Sequence, residues 1–210
     1  MKNKLQLKIC GMRDAKNIAE VGALHPDYMG FIFYRPSPRY VGANFSIPQN
    51  FPSIVRKVGV FVNEAPDSIL SKMRSLDLDF VQLHGKEPAG LCVVLKQHDV
   101  KVIKVFSIDD DFDFKVTKPY ESVVDYFLFD TKGKNYGGNA QAFKWEILKR
   151  YDQQIPFFLS GGLTSENIAG VRELKGMNLH ALDVNSGVEL EPGLKSPDLI
   201  RGVKSKMTVL

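Results

Sequence analysis

The chain has 210 residues, of which 44% are hydrophobic and 25% are charged, and its formal net charge is +4. The mild charge excludes the concentrated basic patch that nucleic-acid binding needs, and no apolar run is long enough to span a membrane. The two cysteines, Cys10 and Cys92, have no CxxC spacing. They predict neither a disulfide framework nor a zinc site, and they are typical of a cytoplasmic protein. We expect one domain covering residues 1–210.

The first predicted strand ends at a cysteine. Leu5, Leu7 and Ile9 alternate with polar residues, which is the pattern of a strand, and Gly11 allows a sharp turn after it. Asp14 is placed to cap a helix that continues through Val21. A thiol at the carboxyl end of a parallel strand is in position for chemistry, although a lone cysteine is also a common small buried hydrophobe.

Strand and helix patterns alternate along the rest of the chain. Further strands are predicted at Tyr28–Tyr34, Lys57–Val62, Phe80–His84, Val100–Phe106, Tyr126–Asp130, Pro156–Ser160 and Leu179–Val184. Helices are predicted weakly at Ile47–Ser53, then from Pro66, from Pro88, at Phe143–Leu148, from Thr164 and at Pro197–Met207. Eight strand-then-helix units indicate a closed (β/α)8 barrel, a TIM barrel of the α/β class. An open doubly wound sheet is the alternative, but its first turn usually reads GxGxxG.

Polar residues end most of these strands. In a barrel they would face one pocket, and they are Cys10, Arg39, Asn63, Gln82, His84, Asp130, Ser160 and Asp183. Each also has a purely structural explanation. His84 could be a rim histidine and Asp130 a cap for the following loop, whereas Arg39 lies in a loop that two prolines stiffen. The acidic run Asp109–Asp113 is expected to be solvated and not to bind a metal.

Two glycine-containing turns follow the seventh and eighth strands. They hold Gly161 and Gly162 in one turn, and Ser186 and Gly187 in the other. Barrels often bind phosphate at these two positions through backbone N–H groups. The longest polar connection, Thr131–Gln141, lies just before them in the chain.

Several motifs together resemble one enzyme family. The chain reads Lys-Ile-Cys-Gly-Met from Lys8, and Val81-Gln-Leu-His-Gly85, Phe129-Asp-Thr131 and Ser160-Gly-Gly-Leu163 follow in order. With Asp183-Val-Asn-Ser-Gly-Val-Glu189, these segments are similar to phosphoribosylanthranilate isomerases of tryptophan biosynthesis. The resemblance implies a (β/α)8 barrel that performs a cofactor-independent Amadori rearrangement. Its product would be 1-(2-carboxyphenylamino)-1-deoxy-D-ribulose 5-phosphate.

The resemblance also implies roles for single residues. Cys10 would be the general base, Asp130 the general acid, and Arg39 the group that holds the anthranilate carboxylate. A thiol whose pKa lies a little below about 8.5 is a workable base near neutral pH. We further expect Gln82, His84 and Asp183 to bind substrate.

The expected partner is a small phosphorylated substrate, without nucleic acid, membrane, metal or cofactor. We expect a monomer, with a dimer as the alternative. The competing functions are a ribulose-phosphate epimerase-like or thiamine-phosphate synthase-like barrel, a related histidine-pathway isomerase, and a phosphate-binding barrel without activity. The histidine-pathway enzyme would be expected to have aspartate in place of Cys10, and the inactive barrel would be favoured if Cys10 or Asp130 were missing.

Overall fold

A computed structural model describes residues 4–131 and 145–208. Eight parallel strands follow one another in chain order, and the eighth pairs with the first, which closes a barrel. The predicted (β/α)8 architecture is therefore confirmed. The strands are β1 (Gln6–Ile9), β2 (Tyr28–Ile32), β3 (Arg56–Phe61), β4 (Phe80–Leu83), β5 (Lys101–Ile108), β6 (Tyr126–Thr131), β7 (Phe157–Leu159) and β8 (Leu179–Val184).

The predicted helix Pro197–Met207 is confirmed with its bounds, whereas several of the other connections described form 3₁₀ helices. The α-helices are α1 (Ala15–Gly22), α2 (Pro66–Ser75), α3 (Ala89–Lys96) and α4 (Pro197–Met207), and 3₁₀ helices cover Phe114–Tyr120, Trp145–Arg150, Ile168–Leu174 and Ser186–Val188. The Asp14 cap is confirmed, because its carboxylate accepts a hydrogen bond of 2.8 Å from the Asn17 amide. Within the parts of the chain just given, no helix combines the length and the hydrophobicity that a membrane crossing requires.

Three helix predictions need correction or fall partly outside the described residues. Residues 47–53 form turns and not a helix, because Pro48 and Pro52 lack the amide hydrogens that a helix uses. The segment after Thr164 begins with turns, and its 3₁₀ helix starts only at Ile168. Of the predicted helix Phe143–Leu148, the structure describes residues from 145 onwards, and most of the polar connection Thr131–Gln141 also lies outside it.

A short hairpin near the end of the chain was not predicted. Strand β9 (Glu189–Glu191) pairs with β10 (Leu194–Lys195) in antiparallel fashion, and Gly193 has a φ of 89° at the turn between them. Strands of two and three residues leave too little alternation for sequence patterns to detect. The hairpin brings Glu189 and Lys195 to the pocket end of the barrel.

The inward side chains form layers, as the strand period of two requires. At the amino-terminal end they make an apolar cluster of Tyr28, Val58, Phe80, Ile103, Val105, Leu128, Phe158 and Ala181. Following the same alternation toward the carboxyl ends leads to polar residues, which include Cys10, Gln82 and Asp130. The apolar lower layers therefore support a polar upper layer.

A hydrogen-bonded chain closes the amino-terminal end of the barrel. Arg56 Nη1 donates to the Tyr28 hydroxyl over 2.7 Å, and this hydroxyl lies 2.7 Å from His180 Nε2. Because the hydroxyl accepts from Arg56, its own proton is directed to His180, whose ring is then neutral. Burial, with repulsion from Arg56, lowers the pKa of His180 from 6.5 to about 4.

This chain predicts acid-sensitive stability. Between pH 6.5 and 4 the unfolded state binds a proton at His180 that the folded state excludes, so the free energy of unfolding falls as the pH falls through this window. The loss should be about 1–2 kcal/mol after allowance for partial exposure. Urea unfolding of His180→Gln at several pH values should give a flatter curve than the wild type, whereas the exposed-site variant His98→Gln should not. Identical curves for all three proteins would contradict the prediction.

Candidate active site

One pocket opens at the carboxyl ends of the strands. It is lined by nearly all of the predicted site residues, namely Cys10, Gln82, His84, Asp130, Ser160, Gly161, Gly162, Asp183, Ser186 and Gly187. Tyr34 and Ser37, from the proline-containing loop after β2, lie along one side. Arg39 lies next to the pocket, beside Gly11 and Asn185. Asn63 binds the loop after β4 instead, where its side chain accepts from the Lys86 amide.

Cys10 follows β1 and is almost fully buried, with 4% of its surface exposed. Gly30 on the neighbouring strand leaves the space for its thiol, since a methyl group at Gly30 would lie 2.7 Å from Cys10 Sγ. Burial raises the pKa of Cys10, although Lys8 and Lys195 act in the opposite direction. Burial outweighs the two lysines, so the pKa of the thiol lies above its ordinary value.

A buried ion pair lies next to this thiol. Lys8 Nζ donates to Asp183 Oδ1 over 2.9 Å, and neither side chain is more than 5% exposed. Burial alone would lower the pKa of Lys8, but attraction to Asp183 and Cys10 outweighs it and raises that pKa. Lys8 is thus a cation at neutral pH, held inside the barrel beside Cys10.

Asp130 is the second-last residue of β6, and the histidine that follows β4 faces it. His84 Nε2 lies 3.4 Å from Asp130 Oδ2, and Gln82 Nε2 lies 3.1 Å from His84 Nδ1. An amide nitrogen can only donate, so Nδ1 accepts and the neutral ring carries its proton on Nε2, toward Asp130. Among the described residues, the buried Gln82 Oε1 has no hydrogen-bond partner.

Arg39 is held by the hairpin at the end of the chain. Its Nε and Nη2 donate to Glu189 over distances of 2.7–3.1 Å. Lys195 Nζ donates to the same carboxylate and to Asn185 Oδ1, each over 2.6 Å. Burial lowers the pKa of Lys195 to about 8, against the attraction of Glu189. Glu189 therefore fixes the position of the guanidinium near the pocket.

The two glycine turns lie side by side. Gly161 and Gly162 have φ values of 94° and 66°, which residues with a side chain rarely adopt. A methyl group at Gly187 would lie 2.0 Å from the Leu163 carbonyl oxygen, so the second turn packs directly against the first. Asn167 closes the first turn by donating to the Gly162 carbonyl over 2.7 Å. Among residues 4–131 and 145–208, no group of three or more His, Cys, Asp or Glu residues could hold a metal ion.

Known proteins have sequences and folds similar to those of this chain. The family model of N-(5′-phosphoribosyl)anthranilate isomerase matches residues 7–206. The chain belongs to this family. A relative named N-(5′-phosphoribosyl)anthranilate isomerase, from Parabacteroides distasonis, is 42% identical over 93% of this chain and 90% of its own.

Solved structures of phosphoribosylanthranilate isomerases have the same fold. The crystal structure from Thermotoga maritima is 32% identical, covers 98% of this chain and 100% of its own, and superposes with a TM-score of 0.84. A second structure, in complex with reduced 1-(o-carboxyphenylamino)-1-deoxyribulose 5-phosphate, has 30% identity, the same coverage and a TM-score of 0.80. The chain is thus an isomerase that converts N-(5-phosphoribosyl)anthranilate in tryptophan biosynthesis.

Sequence reasoning missed part of this isomerase site. Lys8 reads as one of several lysines near the amino terminus, and nothing in its neighbours indicates a buried charge. Its position in an alternating strand was the available signal, because Lys8 and Cys10 have the same parity and therefore point to the same side. Glu189 and Lys195 were missed because the hairpin that carries them was not predicted.

Proposed function

We propose that Cys10 and Asp130 carry the acid–base chemistry of the isomerisation. Asp130 protonates the ribose ring oxygen, the ring opens, and a cationic Schiff base forms. Cys10, as thiolate, then removes the C2′ proton, and the resulting enolamine tautomerises to the ketone. The observation that carries this proposal is that the thiol directly after β1 and a carboxyl group on β6 line the same pocket.

Gln82, His84 and Asp183 are proposed to bind the substrate around this pair. The buried His84 Nε2 lies 3.4 Å from Asp130 Oδ2 and makes no hydrogen bond within the described residues, so its proton is available to a substrate oxygen. The unpaired oxygen of Gln82 is buried, and an unpaired buried acceptor is costly. A substrate hydroxyl that donates to it would remove this cost.

Arg39 is proposed to hold the anthranilate carboxylate. Glu189 occupies Nε and Nη2, so within the described residues Nη1 is left for a ligand. A guanidinium already held in place loses little conformational entropy when it binds a planar carboxylate.

The phosphate is proposed to bind between the turns that contain Gly161–Gly162 and Ser186–Gly187. Glycine lets the backbone N–H groups approach an anion closely. In this proposal the phosphate lies at one end of the pocket. We also propose that the active unit is a single chain, with a dimer as the alternative.

The acid–base roles predict large losses of turnover in folded variants. Cys10→Ala and Asp130→Asn should each reduce kcat by about a hundredfold or more, which is the usual contribution of a general acid or base. The measurement is the decay of substrate fluorescence, with phosphoribosylanthranilate generated in situ. Cys92→Ala is the control, because Cys92 lies on α3 outside the pocket. Turnover near the wild-type value in either test variant would remove that residue from the mechanism.

The carboxylate role predicts that Arg39 cannot be replaced by lysine. Arg39→Lys keeps the charge but loses the planar donors, so KM should rise by about tenfold, and the lost hydrogen bonds to Glu189 should also lower the melting temperature. Arg56→Lys, at the opposite end of the barrel, is the matched control and should leave KM unchanged. If Arg39→Lys binds substrate as tightly as the wild type, Arg39 does not hold the carboxylate.

The phosphate role predicts that backbone shape matters more than any one side chain. Gly162→Val should abolish measurable binding of inorganic phosphate in calorimetry, whereas Ser186→Ala should weaken it by about 1 kcal/mol. Gly176→Val is the control for backbone strain, since Gly176 also has a positive φ but lies outside the pocket. If a crystal soaked with phosphate showed the anion elsewhere in the pocket, the proposed orientation of the substrate would be wrong.

A further inference from the structure

We propose that Lys8 is a positioning residue for the reaction, and that its ammonium group favours formation of the Cys10 thiolate that faces the pocket. This inference rests on the proposed role of Cys10 as the base. The acid–base mechanism does not otherwise use this buried cation. The proposal gives it a function there.

The geometry places the two groups against the same gap. Lys8 and Cys10 both point into the barrel, and Lys8 has no exposed surface. A methyl group built on Gly30 would lie 2.7 Å from Cys10 Sγ and 3.2 Å from Lys8 Nζ. The missing side chain of Gly30 therefore provides the space that the thiol and the ammonium group share.

Three charged side chains act directly on the thiol. Lys8 and Lys195 favour the thiolate, and Asp183 opposes it. Lys8 Nζ borders the same space above Gly30 as the sulfur, whereas Lys195 is bound to Glu189 and Asn185. Asp130 and His84 act at one remove, through Asp183. Asp183 therefore keeps Lys8 charged and at the same time limits how strongly Lys8 favours the thiolate.

The proton transfer balances with Lys8 as a constant charge. The C2′–H bond of the cationic Schiff base breaks, an S–H bond forms at Cys10, and the electron pair neutralises the iminium nitrogen. Lys8 keeps its proton throughout. Before the transfer its charge stabilises the thiolate, and afterwards it remains paired with Asp183. A hydrophobic residue would fill this interior position at lower cost, so the buried charge is consistent with a role toward the thiol.

The test compares the thiol in variants of the two partners of the ion pair. Cys10 alkylation by iodoacetamide is followed against pH, with the modified peptide quantified by mass spectrometry so that Cys92 does not contribute. Lys8→Met should raise the thiol pKa by at least about one unit, which is a tenfold slower reaction at pH 8. Asp183→Asn should lower it. In each active variant, the acidic limb of the plot of kcat/KM against pH should move in the same direction as the thiol pKa.

The matched control is Lys104→Met. Lys104 is also a buried lysine with a carboxylate partner, Glu87 at 2.7 Å, but it does not act on Cys10. Its loss should lower the melting temperature without moving the Cys10 thiol pKa. A purely structural ion pair would behave like this control when either Lys8 or Asp183 is replaced.

The outcomes separate this inference from the assignment of the base. Equal shifts in Lys8→Met and Asp183→Asn, or no shift in either, would overturn the role of Lys8. If Lys8→Met does not fold, Asp183→Asn decides by itself. An unchanged or raised thiol pKa in that variant would overturn the role of Lys8. An active Cys10→Ala enzyme would instead refute Cys10 as the base, whatever the thiol measurements give.

Discussion

The closure of the barrel is the constraint on which the site depends. Strand β1 pairs with β8 in a register that sets Lys8 opposite Asp183. A shift of β1 by one residue would turn Lys8 out of the barrel and away from Asp183, since neighbouring residues on a strand point to opposite sides. The same register carries Cys10 past the end of β1, at the top of the barrel. Closure thus determines at once where the thiol, the ammonium group and the carboxylate lie.

Around this closure, the interior divides into an apolar lower part and a polar upper part. The aromatic and aliphatic layers near Tyr28 and Phe158 are rigid because they are densely packed. The polar groups lie above these layers, and hydrogen-bond and ion-pair partners hold them in place rather than packing. Gln82 fixes the tautomer of His84, and Asp183 fixes Lys8. A catalytic layer built in this way keeps its geometry before substrate arrives.

The hairpin near the end of the chain adds a second layer of support. Glu189 binds Arg39, which lies in the loop after β2, and Lys195 binds both Glu189 and Asn185. Elements far apart in the chain therefore meet at the carboxylate of Glu189. Gly11 allows this meeting, because any side chain there would collide with Arg39 and Asn185. The glycine of the first turn therefore serves the neighbouring side chains as well as its own backbone.

The sequence by itself determined the number and order of the strands, the closed barrel, and the residues at the strand ends. Each of these follows from local alternation and from topology, which a single chain records directly. Only the tertiary structure decided which charges are buried and which partners they have. Lys8 and Asp183 are separated by 175 positions, and Arg39 and Glu189 by 150, so no local pattern joins them. The tertiary structure also decided the direction in which the pKa of Cys10 is shifted, because burial is a property of the packed barrel and not of the residue.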